Sequence, residues 1–415
     1  MADMLGRDEA VSAEEALRLL LESFPTSGLT RAVVSLDEAC GRVLSEDVES
    51  PEDLPGFSRS TVDGFAVLSR DTYGATEGSP AYLEVTREIL MGEEPGFELA
   101  PGEAARISTG GMLPGGADAV VMLEHAQFLD ERSIEVLRPV AQGENVIQRG
   151  EDARKGEVVL GKGHRLRPQD VAVLAGLGVA RAPVYERPVV SIISTGDEVV
   201  PPEARLRPGL VRDMNSYNLA GLVTREGGSA VRMGIFRDEY DSIREAFDRA
   251  VRESDMVLVS GGSSVGSRDM TARIMADAGT VLFHSVSIKP GKPLIAGIAS
   301  GKPVFGLPGH PRAVSVCFDN FVAPVLRRLA GLAPEGASGL GRTVRARLAK
   351  SVSSSPGRQE YISVYLETVD GELHAVPVPA KSGLITAAVR GQGTVCVPAG
   401  SSGIEKGETV EVRLS

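Results

Sequence analysis

The segment with the clearest chemical potential is Ser260-Gly261-Gly262-Ser263-Ser264-Val265-Gly266-Ser267-Arg268-Asp269, which follows the apolar run Met256-Val257-Leu258-Val259 and precedes a helical stretch. A strand, a glycine loop and a helix start make an anion cradle: glycine lets the backbone approach a ligand, and the N–H groups at the helix start favour negative charge. The run lacks the Gly-Lys-Ser/Thr ending of a Walker loop and is not a GxGxxG fingerprint. Asp269 would stand beside the bound anion, where a carboxylate suits a bridging divalent cation or proton handling. The same residues also fit an ordinary strand-to-helix turn with an acid in its first helical turn.

Three further segments end apolar runs in the same manner. Ile288-Lys289-Pro290-Gly291-Lys292-Pro293 places two of the eight lysines in a rigid turn, where fixed ammonium groups suit an oxyanion. Leu307-Pro308-Gly309-His310-Pro311 closes one run and opens a helix at Pro311, with His310 either a base or a structural residue. Ser194-Thr195-Gly196-Asp197-Glu198 follows another run, and Asp238 follows Ile235-Phe236. Loops at the carboxyl ends of parallel strands share one crevice, so Glu198, Asp238 and Asp269 read as oxygen ligands for a divalent cation, magnesium by ligand chemistry. Solvated caps are the alternative reading of these acids.

Earlier in the chain, Leu54 to Ala66 and Arg106 to Pro114 are glycine-containing loops in which Asp63 and Thr109 offer ligand contacts, and Arg149-Gly150-Glu151-Asp152 is a charged turn. Near the end, Arg358 and Lys381-Ser382-Gly383 supply cationic and hydroxyl donors for a small oxyanion.

These loops need scaffolding. Residues Val11 to Phe24 read as an amphipathic helix started by Ser12 and Glu15. Short β-favouring runs, including Ala119 to Leu123 and Ile134 to Leu137, indicate a mostly β unit between about Val33 and Arg154. Val158 to Pro183 is a connector with a helix from Pro168, ended by Gly176 and Gly178. Apolar runs at Val189–Ile193, Met256–Val259 and Val304–Leu307 predict buried parallel strands, with helices over Asn215–Glu226, Tyr240–Glu253, Arg268–Ala278 and Pro311–Leu329. After a boundary at Gly331 to Gly341, alternation from Tyr361 to Leu366 and the Asp370-Gly371 turn predict a small β domain.

Composition sets the outer limits. At 415 residues the chain should hold two to four units of roughly 100 to 200 residues. A hydrophobic share of 42% and a charged share of 24% exclude a mainly disordered protein. A net charge of −12 disfavours nonspecific nucleic-acid binding, so an anionic ligand must be drawn by a local site. Cys40, Cys317 and Cys396 lack CxxC spacing and read as idle thiols rather than disulfides or a zinc site. An N-terminus with acids in place of a signal peptide's bases, and no long apolar run, leads to the expectation of a cytoplasmic protein with no membrane span.

Taken together, LPGFSRSTVDGFAV, RISTGGMLPGGADAVV, RGED, STGDEV, SGGSSVGSRD, IKPGKP, LPGHP and KSG occur in the order, and over nearly the whole length, in which they resemble the molybdopterin molybdenumtransferase family of MoeA and the gephyrin C-terminal domain. The resemblance implies a multidomain α/β plus β fold. It would comprise a three-layer, MogA-like α/β domain with a parallel-type sheet over 11–30 and 186–332, and an elongated connector over 31–48 and 155–185. A β-rich inserted domain over 49–154 and a C-terminal β-barrel-like domain over 336–415 would complete it.

It also implies an enzyme that inserts molybdate into adenylylated molybdopterin with Mg2+-dependent cleavage of the adenylate, releasing AMP and molybdenum cofactor. The protein would be a homodimer, with a molybdopterin adenylyltransferase and acceptor molybdoenzymes as possible partners and no nucleic acid or membrane. Asp63, Glu198, Asp238 and Asp269 take catalytic roles by motif position, the last three also as magnesium ligands. Thr109, Asp152, Gly261, Gly262, Ser263, Gly266, Lys289, Lys292, Pro308, Pro311, Arg358 and Ser382 take substrate-binding roles. The chain departs from the family pattern at Ile147, Ser285 and His310, and Arg59 and Arg149 are the residues that would supply the missing positive charge. Molybdopterin adenylyltransferase activity and a non-catalytic molybdopterin-binding scaffold are the alternative functions.

Overall fold

A computed structural model describes residues 10–24, 29–261, 265–332, 343–378 and 385–414. The chain divides into two compact units, one of residues 47–161 with 168–181, the other of residues up to 46, 162–167 and 182 onward.

The first unit is built on a six-stranded sheet. Its strands are β1 (Gly64–Val67), β2 (Ala81–Ile89), β3 (Glu103–Ile107), β4 (Ala119–Met122), β5 (Ala126–Phe128) and β6 (Ser133–Val136), in the order β4-β1-β3-β2-β6-β5. Only β2 and β3 run parallel; the other neighbours are antiparallel. The pleat sends Phe65 and Val67 into one apolar cluster and Ala66 into another, which is why β1 is a continuous apolar run. At the head of β1 a Cβ on Gly64 would sit 1.9 Å from the Val121 carbonyl oxygen, so only glycine permits that strand approach. The chain enters through Val48–Glu49 and leaves through Val158–Leu160, and these two segments pair antiparallel. The connector helix runs from Pro168 to Gly176, as predicted, and Gly178 follows it at a φ of 72°.

The second unit holds a mixed six-stranded sheet between helical layers. It opens with α1 (Ala13–Ser23), whose N-cap Ser12 accepts a hydrogen bond from the Glu15 amide at 3.1 Å. The sheet contains β7 (Val189–Thr195), β8 (Ser229–Phe236), β9 (Met256–Ser260), β10 (Gly279–Phe283), β11 (Ile295–Ala299) and β12 (Lys302–Leu307), in the order β8-β7-β9-β12-β11-β10. The first four of these neighbours are parallel. Val190 and Ile192 face a core shared with Ala16 and Leu20 of α1, and Ile193 faces one containing Phe247 and Met275. That alternation makes the three layers. Helices α2 (Asn215–Arg225), α3 (Tyr240–Glu253), α4 (Val265–Ala278) and α5 (Pro311–Cys317) cover it.

Some expectations need correcting. The three apolar runs pair in parallel as predicted, but the sheet also carries β10 and β11, which no run announced: β10, β11 and β12 pair antiparallel, with β11 and β12 joined by a Ser300-Gly301 turn in which both residues have positive φ. The helix predicted over Pro311–Leu329 is interrupted by a π-helical stretch, Phe318–Val322, before helix resumes at Ala323–Leu329. Pro324, lacking an N–H, cannot continue the i to i−4 ladder across that point. Finally, α4 begins at Val265 rather than Arg268, so Asp269 lies in its second turn.

The C-terminal strands are β13 (Thr343–Leu348), β14 (Gln359–Val369), β15 (Glu372–Pro377), β16 (Gly393–Val397) and β17 (Thr409–Leu414). Pairings run β14-β15-β13-β17-β16 and return to β14, closing a five-stranded barrel. The predicted Asp370-Gly371 turn is present, with φ of 51° and 82°. No helix among the described residues is long and apolar enough to cross a membrane.

Candidate functional site

Register places the site. Ser194 of β7 pairs with Ser260 of β9, which pairs with Leu307 of β12, while Thr195 pairs with Phe236 of β8. Four loops therefore leave one edge of the sheet side by side: Gly196-Asp197-Glu198, Arg237-Asp238, Gly261 onward and Pro308-Gly309-His310. This is the crevice at the carboxyl ends of parallel strands expected from the sequence.

Backbone contact between these loops is tight. A Cβ on Gly261, at φ +150°, would come within 2.2 Å of the Thr195 hydroxyl oxygen, and one on Gly196 within 2.8 Å of Glu198 Oε2. Glycine at 261 lets the glycine loop touch the end of β7, and glycine at 196 lets the acidic loop fold back on itself. Gly266 lies in the first turn of α4, and Asp269, half-buried, lies further along it. Gly262, Ser263 and Ser264 lie outside the described residues, as do Lys381, Ser382 and Gly383.

The acids are crowded on one side. The Asp238 amide donates to Asp197 Oδ1 at 3.3 Å. Burial, together with the charges of Asp197 and Glu198, pushes the Asp238 carboxyl above the usual range. Its Oδ1 is buried with no hydrogen-bond partner among the described residues. No three candidate ligands converge on a single point among the described residues, so there is no preformed cage. The donor set is all oxygen and under-neutralised. It fits a hard cation that takes its other ligands from water and phosphate, as Mg2+ does.

Two side chains outside the sequence-predicted set hold the crevice in shape. Buried Asp213 accepts hydrogen bonds from Ser194 Oγ at 2.8 Å and from the Ser216 amide and hydroxyl at 3.0 and 2.7 Å. Asn215 donates to Ser260 Oγ at 3.0 Å and to the Gly309 carbonyl at 2.9 Å. Both lie at the start of α2, whose only signal in the sequence was the helix itself.

The lysine loop reaches the barrel. Ile288 and Lys289 pair in parallel with Gln359 and Glu360, and Lys289 Nζ lies 2.7 Å from Glu360 Oε1. The ammonium predicted to hold an anion is thus already paired with a carboxylate. Glu360 also accepts from Ser354 Oγ at 2.8 Å. Lys292 is exposed, and next to it Gly291 at φ +118° leaves room for Cys317, whose Sγ a Cβ would approach to 2.6 Å. Arg312, behind Pro311 at the first position of α5, donates to the Tyr361 carbonyl at 2.6 Å and draws the start of β14 to the same helix end. Arg358, just before β14, is half-buried with Nε lacking a partner among the described residues. Pro308 and Pro311 are buried and His310 is exposed, an N-cap without a side-chain bond. Cys317 is a buried thiol whose pKa is raised by burial, in keeping with an idle role.

In the first unit, Asp63 Oδ1 accepts from the Thr109 amide at 2.7 Å and from its hydroxyl at 3.1 Å. These bonds hold the Asp63 carboxyl below the usual range. Pairing of Ser60 with Gly110 and Gly111, and of Thr61 with Asn145, ties their loops together. Asp152 is exposed, its amide bonded to the Leu54 carbonyl. Arg149 does not stand ready to replace a missing charge, because its Nε is 2.8 Å from Asp53 Oδ2.

Known proteins resemble this chain along nearly its whole length. Residues 11–178 match the family model of the MoeA N-terminal region (domain I and II), 191–328 the probable molybdopterin binding domain, and 345–414 the MoeA C-terminal region (domain IV). A putative molybdopterin biosynthesis protein of Methanocaldococcus jannaschii is 35% identical over 389 residues, 92% of this chain and 91% of that protein. The molybdopterin molybdenumtransferase of Bacillus subtilis is 34% identical over 417 residues, 99% of this chain and 95% of that one. Among solved structures, a molybdopterin biosynthesis MoeA protein of Pyrococcus horikoshii superposes with a TM-score of 0.85 at 35% identity, covering 98% of this chain and all (100%) of that one.

Proposed function

The chain belongs to the MoeA family of molybdopterin molybdenumtransferases, enzymes of molybdenum cofactor biosynthesis, and we propose that it completes that cofactor by transferring molybdate to adenylylated molybdopterin with release of AMP. The observation that carries this reading is the in-register row of strand ends, which sets a glycine loop, three acids and a proline loop around one crevice.

Each part has a role that follows from its chemistry. The backbone at Gly261 and the start of α4 receive phosphate. Lys289, Lys292 and Arg358 supply positive charge for oxyanions, Arg358 through the buried Nε that has no partner among the described residues. Asp238, with Glu198 and Asp269, would hold Mg2+, which supplies charge neutralisation at the phosphate oxygens. Asp63, held in its ionised form by the two bonds from Thr109, and exposed Asp152 offer further oxygen contacts for a substrate. A homodimer in the cytoplasm, served by an adenylyltransferase and serving molybdoenzymes, completes the proposal.

Incubation of the pure protein with adenylylated molybdopterin, molybdate and Mg2+ should release AMP in step with cofactor. AMP release no greater than in a protein-free control rejects the proposal. Consumption of ATP with unadenylylated molybdopterin would instead support adenylyltransferase activity.

A further inference from the structure

Asn215 joins two of the crevice loops and leaves one polar atom over. Its Nδ2 donates to Ser260 Oγ and to the Gly309 carbonyl, at 3.0 and 2.9 Å. A carbonyl can only accept, so Gly309 dictates which end of the amide is nitrogen. Oδ1 must then face away from Gly309, and it is buried with no hydrogen-bond partner among the described residues. Two residues earlier, Asp213 accepts three hydrogen bonds, one from Ser194 and two from Ser216. The start of α2 therefore grips the ends of β7 and β9 and the loop after β12. Buried acceptors are normally satisfied, and one left open beside a ligand crevice is a place for a ligand donor.

We propose that Asn215 is a positioning residue which straps the end of β9 and the loop after Leu307 at one separation, and that its Oδ1, unsatisfied and covered in the ligand-free protein, is met by an N–H group on the substrate's heterocycle when substrate enters. The inference rests on the proposed function for the identity of that substrate. Chemistry selects the part that is read. An amide oxygen repels phosphate and molybdate oxygens and attracts amino and ring N–H groups, which adenylylated molybdopterin carries on its pterin and on its adenine. The acceptor thus complements the anion-binding groups, which recognise charge but not the ring.

The test has two arms. In the ligand-free protein, hydrogen exchange in the peptide covering 305–312 should quicken about ten-fold in both Asn215→Ala and Asn215→Asp, since each removes the donors to Ser260 and Gly309, while the barrel strands stay unchanged. Unchanged exchange in that peptide overturns the strap. In the second arm, Kd values are measured for molybdopterin, AMP and inorganic phosphate. Asn215→Ala should weaken molybdopterin, or AMP, about ten-fold or more and leave phosphate unaltered. Which of the two weakens names the ring. Equal weakening of all three, or of none, overturns the ligand contact. A wild-type protein that binds neither molybdopterin nor AMP refutes the proposed function instead, and the exchange arm still decides the strap.

Discussion

The Lys289 ammonium and the Glu360 carboxylate lie 2.7 Å apart, joining the lysine loop to the start of the barrel's long strand. The two partners are unequally exposed, 46% for the lysine side chain and 13% for the glutamate. An anion that needs Lys289 must compete with Glu360 for it.

That asymmetry gives a first prediction. Lys289→Met should destabilise more than Glu360→Gln, because it leaves a mostly buried carboxylate with only the Ser354 hydroxyl bond and the more distant charge of Arg312. We expect ~1–3 kcal/mol for Lys289→Met and under ~1 kcal/mol for Glu360→Gln. Urea unfolding of both variants and the double variant measures this; the reverse order would mean the pair contributes little.

Asp238 gives the opposite balance between stability and activity. Its carboxyl is raised by burial and by Asp197 and Glu198, so the ionised form is disfavoured in the folded state. Asp238→Asn should raise the melting temperature at neutral pH by a few degrees and abolish AMP release. The wild type should also gain stability as pH falls through the raised folded value toward the unfolded one, a gain the variant lacks. Calorimetry of both proteins from pH 4 to 8 separates the cases.

Asp63 runs the other way. Its folded pKa is depressed, so its contribution to stability is present above the unfolded value and is lost as pH falls through the folded one. Thr109→Val removes the hydroxyl bond but keeps the shorter amide bond. The Asp63 carboxyl should therefore rise only part of the way back, followed by NMR titration of the carboxyl carbon. A full return to the unfolded value would show that the backbone bond does not survive.

Glu226 tests a structural network away from the crevice. Its side chain is 4% exposed and bonds Arg225 at 2.9 Å and Arg327 at 2.7 Å. Glu226→Ala should cost about 1–3 kcal/mol, because Arg327 loses its carboxylate while Arg225 keeps Asp319. A loss below ~1 kcal/mol in chemical denaturation would mean water replaces the carboxylate.

Much of this was legible in the residues and some was not. Ser12, Pro168, Asp370 and Gly371 act locally, and each marks an element boundary that the structure reproduces. The loops around Gly261, Glu198, Asp238 and Pro308 were readable because each follows an apolar run, and parallel strands bring their ends to one edge. The antiparallel edge was harder, since three of the five residues of Ile295–Ala299 are alanine or glycine, which mark no strand. The duties of Asp213, Asn215 and Glu360 depend on partners distant in sequence, so no spacing rule exposes them. The π-helical stretch at Phe318 has its signal in Pro324, whose missing N–H apolar periodicity does not register.

The paired segments Val48–Glu49 and Val158–Leu160 have a consequence for how such a protein is assembled over evolutionary time. Whatever lies between them begins and ends at one place, so the intervening hundred or so residues form a loop whose mouth is already closed. Loop-closure cost rises only as the logarithm of length, about 0.6 kcal/mol per doubling. A lineage could therefore lengthen, trim or exchange that cassette at small thermodynamic penalty, provided the two short flanks kept their pairing.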